Sequence, residues 1–443
     1  MKPTNWIAIL LLVALSSQSD AWSQTLTEAL RQAHQNNPQL DVQRADTAIA
    51  QEQLIEARGQ RRPTVTLSGS GGVQSIDSNN PFAAGGENPL ASAQLEASLP
   101  IYTGGRVASG IRQAEAGINA SQAGLAGATQ DLMLDVITAY ADVLRDRETI
   151  SIRENSVNLL SEQVRAATDR FEVGVVTRTD VAQAEARLEG ANASLAGAQS
   201  QLVASEAVYA FLVGSDPGPL ADLPEPPVLP ANVDLALETG LRDNPTLISL
   251  RASERAAEQA VEVARSSLRP TLSIVGTANY QEQFDILAID GFGPNGTTQS
   301  RQDQRDTSVT ALAQATVPLY QGGRADSSVR QARLGSAQAR LQTQNAERQI
   351  RAQIAQSWFA TLAAERASFA SERQVEAAEI AYEGAQEELA VGVRTTLEVL
   401  DQEQQLLEAR LSLISAERDY YVALHQLLRA IGALDYRGLV AKP

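Results

Sequence analysis

Residues 92–106 read SAQLEASLPIYTGGR, and a segment of the same pattern, TALAQATVPLYQGGR, occupies residues 310–324. In each copy, apolar and polar side chains alternate up to the Pro-x-Tyr triplet, which is typical of a half-buried β-strand. After the Gly-Gly-Arg triplet, the apolar residues follow a helical spacing instead of alternating. In the first copy, no proline occurs after this triplet until residue 217. The chain therefore contains, twice, a strand that ends where a long helix begins.

Further landmarks recur in the same order, at only two separations, 207 and 218 residues. Two pairs lie 207 residues apart: Asn37-Pro38-Gln39-Leu40 with Asn244-Pro245-Thr246-Leu247, and Arg62-Pro63-Thr64 with Arg269-Pro270-Thr271. Three pairs lie 218 residues apart: Pro100–Arg106 with Pro318–Arg324, Val173-Gly174-Val175 with Val391-Gly392-Val393, and Gly214 with Gly432. Five ordered landmarks indicate a tandem duplication, with a loop of variable length between the two sets.

The duplication and the local composition predict five segments. Lys2, the apolar run 6–15 and the small residues before position 24 form a secretory signal peptide over residues 1–23, because ten apolar residues are about half of the ~20 that span a bilayer. The other segments are a first repeat (24–213), a connector (214–232), a second repeat (233–432) and a C-terminal tail (433–443).

The connector contains six prolines, which exclude a helix or a central strand. A flexible linker would fit that composition. An ordered strap lying on the body of the protein is the preferred prediction, because four apolar residues there favour burial, namely Leu220, Leu223, Val228 and Leu229.

The composition excludes several classes of function. Acidic residues number 53 against 36 basic ones and the net charge is −17, so nucleic acid is not an expected partner, because phosphate binding depends on Lys and Arg. With no cysteine, the chain has no thiolate metal site, disulfide or cysteine nucleophile. Two histidines, His34 and His425, leave little for a zinc site or a Ser-His-Asp triad. We expect no metal, no cofactor and no enzymatic activity.

The two long helices carry a seam of apolar and small residues at alternating spacings of four and three, which is typical of a coiled coil. In the first copy the seam comprises Val107, Ile111, Ala114, Ile118, Ser121, Leu125, Ala128 and Leu132. In the second copy it comprises Ala325, Val329, Ala332, Ser336, Ala339, Thr343, Ala346 and Ile350. A helix from Arg106 to Phe171 would be on the order of 100 Å long, which no compact domain needs.

Four alternating runs, Thr64–Val73, Ser92–Ile101, Thr271–Tyr280 and Thr307–Leu319, form two predicted hairpins. Each is about ten residues long, the length of a tilted strand that crosses a membrane. A soluble antiparallel sheet would alternate in the same way, but hairpins continued into such long helices favour a membrane barrel. Four strands cannot close a barrel, since about eight is the minimum. Several chains must then share one barrel.

In these landmarks and their order, the whole mature chain resembles the TolC-type outer membrane channels of Gram-negative efflux and secretion systems. The resemblance implies a homotrimer, mainly α with a β minority. Twelve strands would form a β-barrel in outer membrane lipid, and twelve helices a coiled-coil barrel in the periplasm. It also implies a periplasmic adaptor and an inner-membrane transporter, ABC-type or proton-driven, as partners.

The resemblance assigns roles to two kinds of position. The strand–helix junctions are Pro100, Tyr102, Gly104 and Gly105, with Pro318, Tyr320, Gly322 and Gly323, where the tyrosines suit an aromatic girdle. The helix–helix turns are Val173, Gly174 and Thr177, with Val391, Gly392 and Thr395. Unaided, the residues of these turns predict glycine C-caps, and they predict N-caps at Thr177 and Thr395 or at the residues that follow them. The resemblance adds that they dock the adaptor and close the periplasmic aperture.

Within that aperture, the resemblance makes Glu398 and Asp401 the ring carboxylates, and it has Arg394 bridge toward Thr179 and Asp180. The chain departs from the family pattern at two positions. Leu389 stands where some members have a tyrosine, and Glu398 stands in place of an aspartate.

Two other classes of function are alternatives. A periplasmic coiled-coil adaptor or structural protein without a pore would share the helical hairpins, but it should lack the alternating runs and the duplication. A hydrolase would need a nucleophile and a base, which the sequence does not offer. The exported substrate stays open between drug efflux and type I protein secretion.

Overall fold

The computed structural model of the chain describes residues 23–76, 86–293 and 296–435. The predicted signal peptide, apart from its last residue, and the tail beyond residue 435 lie outside these ranges. No helix in the described ranges is both long enough and apolar enough to cross a membrane.

Within the described residues, the same order of elements occurs twice, as the duplication predicted. The first repeat contains α1 (Leu26–Asn36), α2 (Pro38–Gly59), β1 (Thr64–Ile76), β2 (Gly86–Tyr102), α3 (Arg106–Glu172) and α4 (Arg178–Val213). The second contains α5 (Val233–Asp243), α6 (Pro245–Ser266), β3 (Thr271–Gly293), β4 (Gly296–Thr316), α7 (Arg324–Ala390) and α8 (Thr396–Ala430).

The chain divides into two compact units, and each unit draws on both repeats. One comprises residues 46–122 and 249–343 and contains the sheet. The other comprises the residues up to 45, 123–248 and those from 344 onward, and it contains the main apolar core. The compact units therefore differ from the sequence repeats, because corresponding parts of the two repeats pack together.

The sheet is antiparallel, in the order β1-β2-β3-β4. Strands β3 and β4 have 23 and 21 residues, so the predicted length of about ten residues was wrong for them. Backbone hydrogen bonds hold a ladder together whether or not side chains alternate, and the alternation therefore marked only part of each strand. The prediction also carried the fourth strand to Leu319, whereas β4 ends at Thr316, shortly before Pro318, which has no N–H to donate to a ladder.

One face of the sheet carries apolar and small side chains across all four strands. Leu67 lies opposite Leu95, Leu95 opposite Ala278, and Ala278 opposite Val309. Along the neighbouring rows the other face carries polar residues, such as Thr66 and Glu96. The apolar face is not covered by the chain, since Leu67 and Val309 are 74% and 82% exposed. Such a face requires an apolar surrounding or a partner.

The predicted seam of α7 is confirmed as its least exposed stripe, whereas in α3 the seam is less completely buried than a neighbouring row, Ser109, Ala116, Ala123 and Gln130, all of which are buried. In α7, Ala325, Val329, Thr343, Ala346 and Ile350 are buried, and the other three seam residues are half-buried. In α3, Val107, Ile111 and Leu132 are buried and the remaining five are half-buried. The small residues let neighbouring helices approach closely.

The proline-rich connector begins as an ordered strap, as preferred from the sequence. The backbone of Gln24 bonds to Pro219 and Ala221, at N···O distances of 2.7 and 3.1 Å. The hydroxyl of the fully buried Tyr140 lies 2.8 Å from the Gln24 carbonyl oxygen and 2.6 Å from that of Ala221. These contacts fasten the strap to α3.

Three of the four apolar connector residues, Leu220, Leu223 and Leu229, pack against the core. The expected burial of Val228 was wrong, since its side chain is 94% exposed. Successive side chains of an extended segment point to opposite sides, and Leu229 takes the side that faces the core.

The repeated Asn-Pro landmark joins the short helices to the ends of the return helices. The Nδ2 of Asn37 donates to the Leu212 carbonyl at 3.1 Å, and the Nδ2 of Asn244 donates to the Ala430 carbonyl at 2.9 Å. Each Oδ1 accepts the N–H two residues on, at 2.9 and 3.0 Å, where the following proline begins α2 or α6. One sequence motif thus makes one contact in both copies.

Candidate functional site

Both strand–helix junctions turn on two consecutive glycines with positive φ. The φ angles are 64° and 93° at Gly104 and Gly105, and 62° and 76° at Gly322 and Gly323. Only glycine adopts this left-handed backbone without strain. The preceding aromatic residues are exposed, Tyr102 at the end of β2 and Tyr320 beyond the end of β4. Likewise Pro100 lies within β2, where the register shifts, and Pro318 lies outside β4.

The two junctions differ in what packs on them. Arg269 donates from Nη1 to the Gly104 carbonyl at 3.0 Å and pairs with Glu262 at 3.1 Å. A Cβ atom at Gly104 would meet the Arg269 Cβ at 2.9 Å, whereas a Cβ at Gly322 would meet no described atom within 4 Å. By the repeat, the counterpart of Arg269 is the exposed Arg62.

The turns between the long helices and the return helices have the same hydrogen bonds in both copies. Gly174 N–H donates to Phe171 O at 2.9 Å and Val175 N–H to Arg170 O at 2.8 Å. The corresponding distances in the second turn are 3.0 Å and 2.9 Å, and the φ angles of Gly174 and Gly392 are 77° and 80°. These are glycine C-caps of the Schellman type, as the sequence predicted.

Each return helix begins with a capping box. Thr177 is the N-cap of α4, and its N–H and hydroxyl donate to the Asp180 carboxylate at 2.8 and 2.9 Å. Thr395 and Glu398 repeat this arrangement at the start of α8 with the same two distances. The backbone N–H of each threonine holds the pKa of its partner carboxyl, Asp180 or Glu398, below the usual value. Both carboxylates therefore stay charged.

Within the chain, Arg394 does not contact Thr179 or Asp180. Its Nε pairs with Glu388 at 2.5 Å, at the end of the preceding helix. Thr179 lies exposed in the first turn of α4, and the Asp180 carboxylate is occupied by Thr177. As an intrachain contact the expected bridge is wrong, because the five-residue turn between α7 and α8 places Arg394 within reach of Glu388. As a contact between chains it stays a prediction.

Asp401 is tied to α4 by a residue that the sequence did not single out. The Nη2 of Arg187 lies 2.5 Å from Asp401 Oδ1, and its Nη1 donates to the Leu400 carbonyl at 3.2 Å. No sequence signal pointed to Arg187, since the equivalent position of the second repeat is Gln405.

A second carboxylate, Glu403, lies two residues after Asp401 in α8 and is only 7% exposed. Its Oε1 accepts a long hydrogen bond of 3.4 Å from Ser156 Oγ, and its Oε2 has no hydrogen-bond partner among the described residues. Burial raises the pKa of Glu403 to about 7, although the Ser156 bond and the Arg187 charge act in the opposite direction.

Both histidines lie in helices, His34 in α1 and His425 in α8. His425 is fully buried, with Nδ1 2.8 Å from the Tyr421 carbonyl oxygen, and burial lowers its pKa. Across the part of the chain that the structure describes, no three His, Asp or Glu side chains are grouped as metal ligands would be.

Comparison with known proteins identifies relatives over nearly the whole chain. Residues 29–215 and 236–433 match the family model described as outer membrane efflux protein. The outer membrane efflux protein BepC of Brucella suis is 31% identical over 435 residues, which cover 98% of this chain and 91% of BepC. The outer membrane protein TolC of Vibrio cholerae is 27% identical over 95% of this chain and 94% of its own length.

The crystal structure of the outer membrane protein VceC from Vibrio cholerae is similar in fold. It superposes with a TM-score of 0.73 at 22% identity and covers 92% of this chain and 96% of its own. The predicted fold class, mainly helical with a strand minority in a TolC-like arrangement, is thereby confirmed.

Proposed function

The chain belongs to the outer membrane efflux protein family, and we propose that it works as a homotrimer whose three sheets close one barrel. Membership confirms the predicted outer membrane location and the role of an exit duct for efflux or secretion. The observation that carries the proposal is the four-stranded sheet, which has an uncovered apolar face and ends in β1 and β4. Each of these edge strands has a free row of backbone donors and acceptors that only another strand satisfies within a membrane.

The duplication also supplies the register in which β4 of one chain meets β1 of the next. Inside the chain, β2 and β3 join the two repeats and pair Ser98 with Val275. The equivalent of Ser98 in the second repeat, 218 positions later, is Thr316 in β4. The equivalent of Val275 in the first repeat, 207 positions earlier, is Ser68 in β1. In that register, apolar and small residues of β1 oppose those of β4: Gly69 and Ala315, Gly71 and Ala313, Val73 and Ala311. A shift of the register by one residue would place the apolar side chains of one strand on the polar face of the sheet.

Cysteine cross-linking tests this register without background, because the native chain has no cysteine. We expect Ser68→Cys combined with Thr316→Cys to give a ladder of covalent dimers and trimers in outer membrane fractions. Ser68→Cys combined with Leu312→Cys is the control, since four residues along a strand displace the partner by about 13 Å. Cross-linking of the control pair alone would refute the register, and a monomer by sedimentation of the detergent extract would refute the trimer.

At the periplasmic end, we infer that Glu398 and Asp401 from three chains form an acidic constriction, with Arg394 bridging between chains. Six carboxylates around one opening favour cations, as acidic rings do in other pores. The low pKa of Glu398 supports a charged ring at neutral pH.

Planar-bilayer recording tests the constriction. Glu398→Gln with Asp401→Asn should weaken cation selectivity and block by multivalent cations, whereas Arg394→Ser should raise conductance and leave selectivity almost unchanged. Unchanged selectivity and block in the double variant would mean that these carboxylates serve only as helix-end charges.

We also infer that the turn tips dock a periplasmic adaptor, which recruits an inner-membrane transporter of the ABC or proton-driven type. The valines at 173, 175, 391 and 393 are 71–75% exposed, which is unusual for apolar side chains outside an interface. Val391→Glu should abolish export while trimers still assemble. Normal export by Val391→Glu would exclude this turn from docking.

We further propose that residues 1–23 are removed as a signal peptide, that 24–213 and 233–432 are the repeats, and that 214–232, with the tail 433–443, forms a belt around the helices. N-terminal sequencing of the membrane-extracted protein should begin near Gln24. An intact Met1 would contradict the secretory assignment.

A further inference from the structure

Near its start, α8 carries two carboxylates with opposite surroundings. Asp401 is about half-exposed, whereas Glu403 is buried. Arg187 of α4 pairs with Asp401 at 2.5 Å and lines the same cavity as Glu403, where its positive charge opposes the rise in the pKa of Glu403 that burial causes. A guanidinium has five N–H donors, so one arginine can serve a carbonyl and two carboxylates in turn.

Two cavities meet at Glu403. The first, of about 310 Å³, lies between α3, α4 and α8 and is lined by Arg153, Ser156, Arg187 and Glu403 among others. The second, of about 420 Å³, lies between α3, α7 and α8, with Tyr382 in its wall. Glu403 lines both cavities, yet its Oε2 is closed off from them and has no protein partner among the described residues.

The charged groups that face these cavities come from every helix around Glu403. On the first side they are Arg153 of α3 and Arg187 of α4. On the second side, Glu379 and Glu383 of α7 add negative charge, and Glu379 is paired with Arg410 of α8 at 2.8 Å. Among these groups, Arg187 also holds Asp401. Its contacts therefore connect the buried and the exposed carboxylate.

We propose that Arg187 is a positioning residue of the constriction, which ties Asp401 to α4, and that ionisation of Glu403 loosens this tie. While Glu403 is neutral, the guanidinium serves Asp401 and the Leu400 carbonyl. Once Glu403 is charged, its carboxylate attracts the same guanidinium across the first cavity, and water enters to solvate the remaining oxygen. The aperture is then held more firmly in acid than in weakly alkaline medium. This inference rests on the proposed function, because it assumes that Asp401 lies at the constriction.

The first test is the conductance of full-length trimers in planar bilayers. Removal of one ion pair corresponds to about a fivefold change in an opening equilibrium. We expect Arg187→Gln to raise the open fraction by about that factor and Arg187→Lys to restore part of the closure. Arg178→Gln is the matched control, since Arg178 is exposed on the same helix.

The second test is the pH profile. The open fraction of the wild-type trimer should rise between about pH 6 and pH 8, around the pKa of Glu403 near 7. Glu403→Gln should stay at the acid level throughout. Glu185→Gln, at the equivalent and exposed position of α4, should keep the wild-type profile. A purely structural role for Glu403 would change the open fraction at all pH values alike.

Infrared titration of the detergent-solubilised protein gives a readout that needs no pore. The carboxylic acid band that is lost in Glu403→Gln should titrate near neutral pH in the wild type. Arg187→Gln should move its midpoint upward, because a cation that favours the charged form is gone.

Three outcomes would overturn the inference: Arg187→Gln conducting like Arg178→Gln, Glu403→Gln keeping the wild-type pH profile, or an infrared midpoint unaffected by Arg187→Gln. A wild-type trimer that conducts at no pH would instead refute the proposed function, and the infrared titration would still decide whether Arg187 and Glu403 are coupled.

Discussion

The two capping boxes, which are related by the repeat, have the same geometry. The two glutamates that follow them are related by the repeat as well, but they differ in burial. At the helix starts, Thr177 with Asp180 and Thr395 with Glu398 have the same hydrogen-bond lengths, although one carboxylate is Asp and the other Glu. A few residues later, Glu185 is exposed while Glu403 is buried. Short-range contacts thus repeat with the sequence, whereas burial depends on which helices pack alongside.

The largest expected difference between the two repeats concerns the glycines that follow the return helices. Gly214 and Gly432 have φ angles of 89° and 75°, so alanine at either costs about 1–2 kcal/mol of backbone strain. A Cβ at Gly432 would also lie 2.5 Å from the Asp243 carbonyl oxygen, whereas at Gly214 the nearest atom is 3.9 Å away.

We therefore expect Gly432→Ala to lower the free energy of unfolding by about 2–5 kcal/mol and Gly214→Ala by about 1–2 kcal/mol. Denaturant unfolding followed by helical circular dichroism measures both. Equal losses would mean that the backbone around Asn244 moves aside at no cost.

The pH dependence of stability sharpens the contrast between Glu403 and Glu185. With a pKa raised from 4.5 to about 7, folded Glu403 keeps its proton where the unfolded chain has lost it. The contribution of Glu403 to the free energy of unfolding is therefore complete below pH 4.5 and is lost as the pH rises to about 7. The total loss is about 3 kcal/mol, and above pH 7 the contribution no longer changes. Glu403→Gln should remove this decline, and Glu185→Gln should retain it. Thermal unfolding across this pH range checks both, and an unchanged decline in Glu403→Gln would show that another group is responsible.

The smallest expected effect tests the similarity itself. Thr177→Ala and Thr395→Ala each remove an N-cap hydroxyl, with a typical cost of about 1 kcal/mol. Because the two boxes have the same geometry, the two losses should agree within a few tenths of a kcal/mol, with Thr179→Ala as the exposed control. A clear difference, measured by the same denaturant unfolding, would show that the turns are coupled to unlike surroundings.

Much of the fold was predictable because its signals are local. The seams of α3 and α7, the glycine C-caps and the threonine N-caps follow from periodicity and backbone preference. The junctions were predictable for the same reason, since each contains two consecutive glycines, the residue type that adopts the positive φ angles found there without strain.

The sequence by itself determined the duplication, the order of elements, the turn chemistry and, through the resemblance, the candidate aperture residues. Only the tertiary structure decided that Asp401 pairs with Arg187 and that Glu403 is buried while Glu185 is not. Hydrogen bonds within a turn join residues a few positions apart, so the residue types settle them. Ion pairs and burial between helices depend on which residues, more than 200 positions apart in the case of Arg187 and Asp401, the packing brings together.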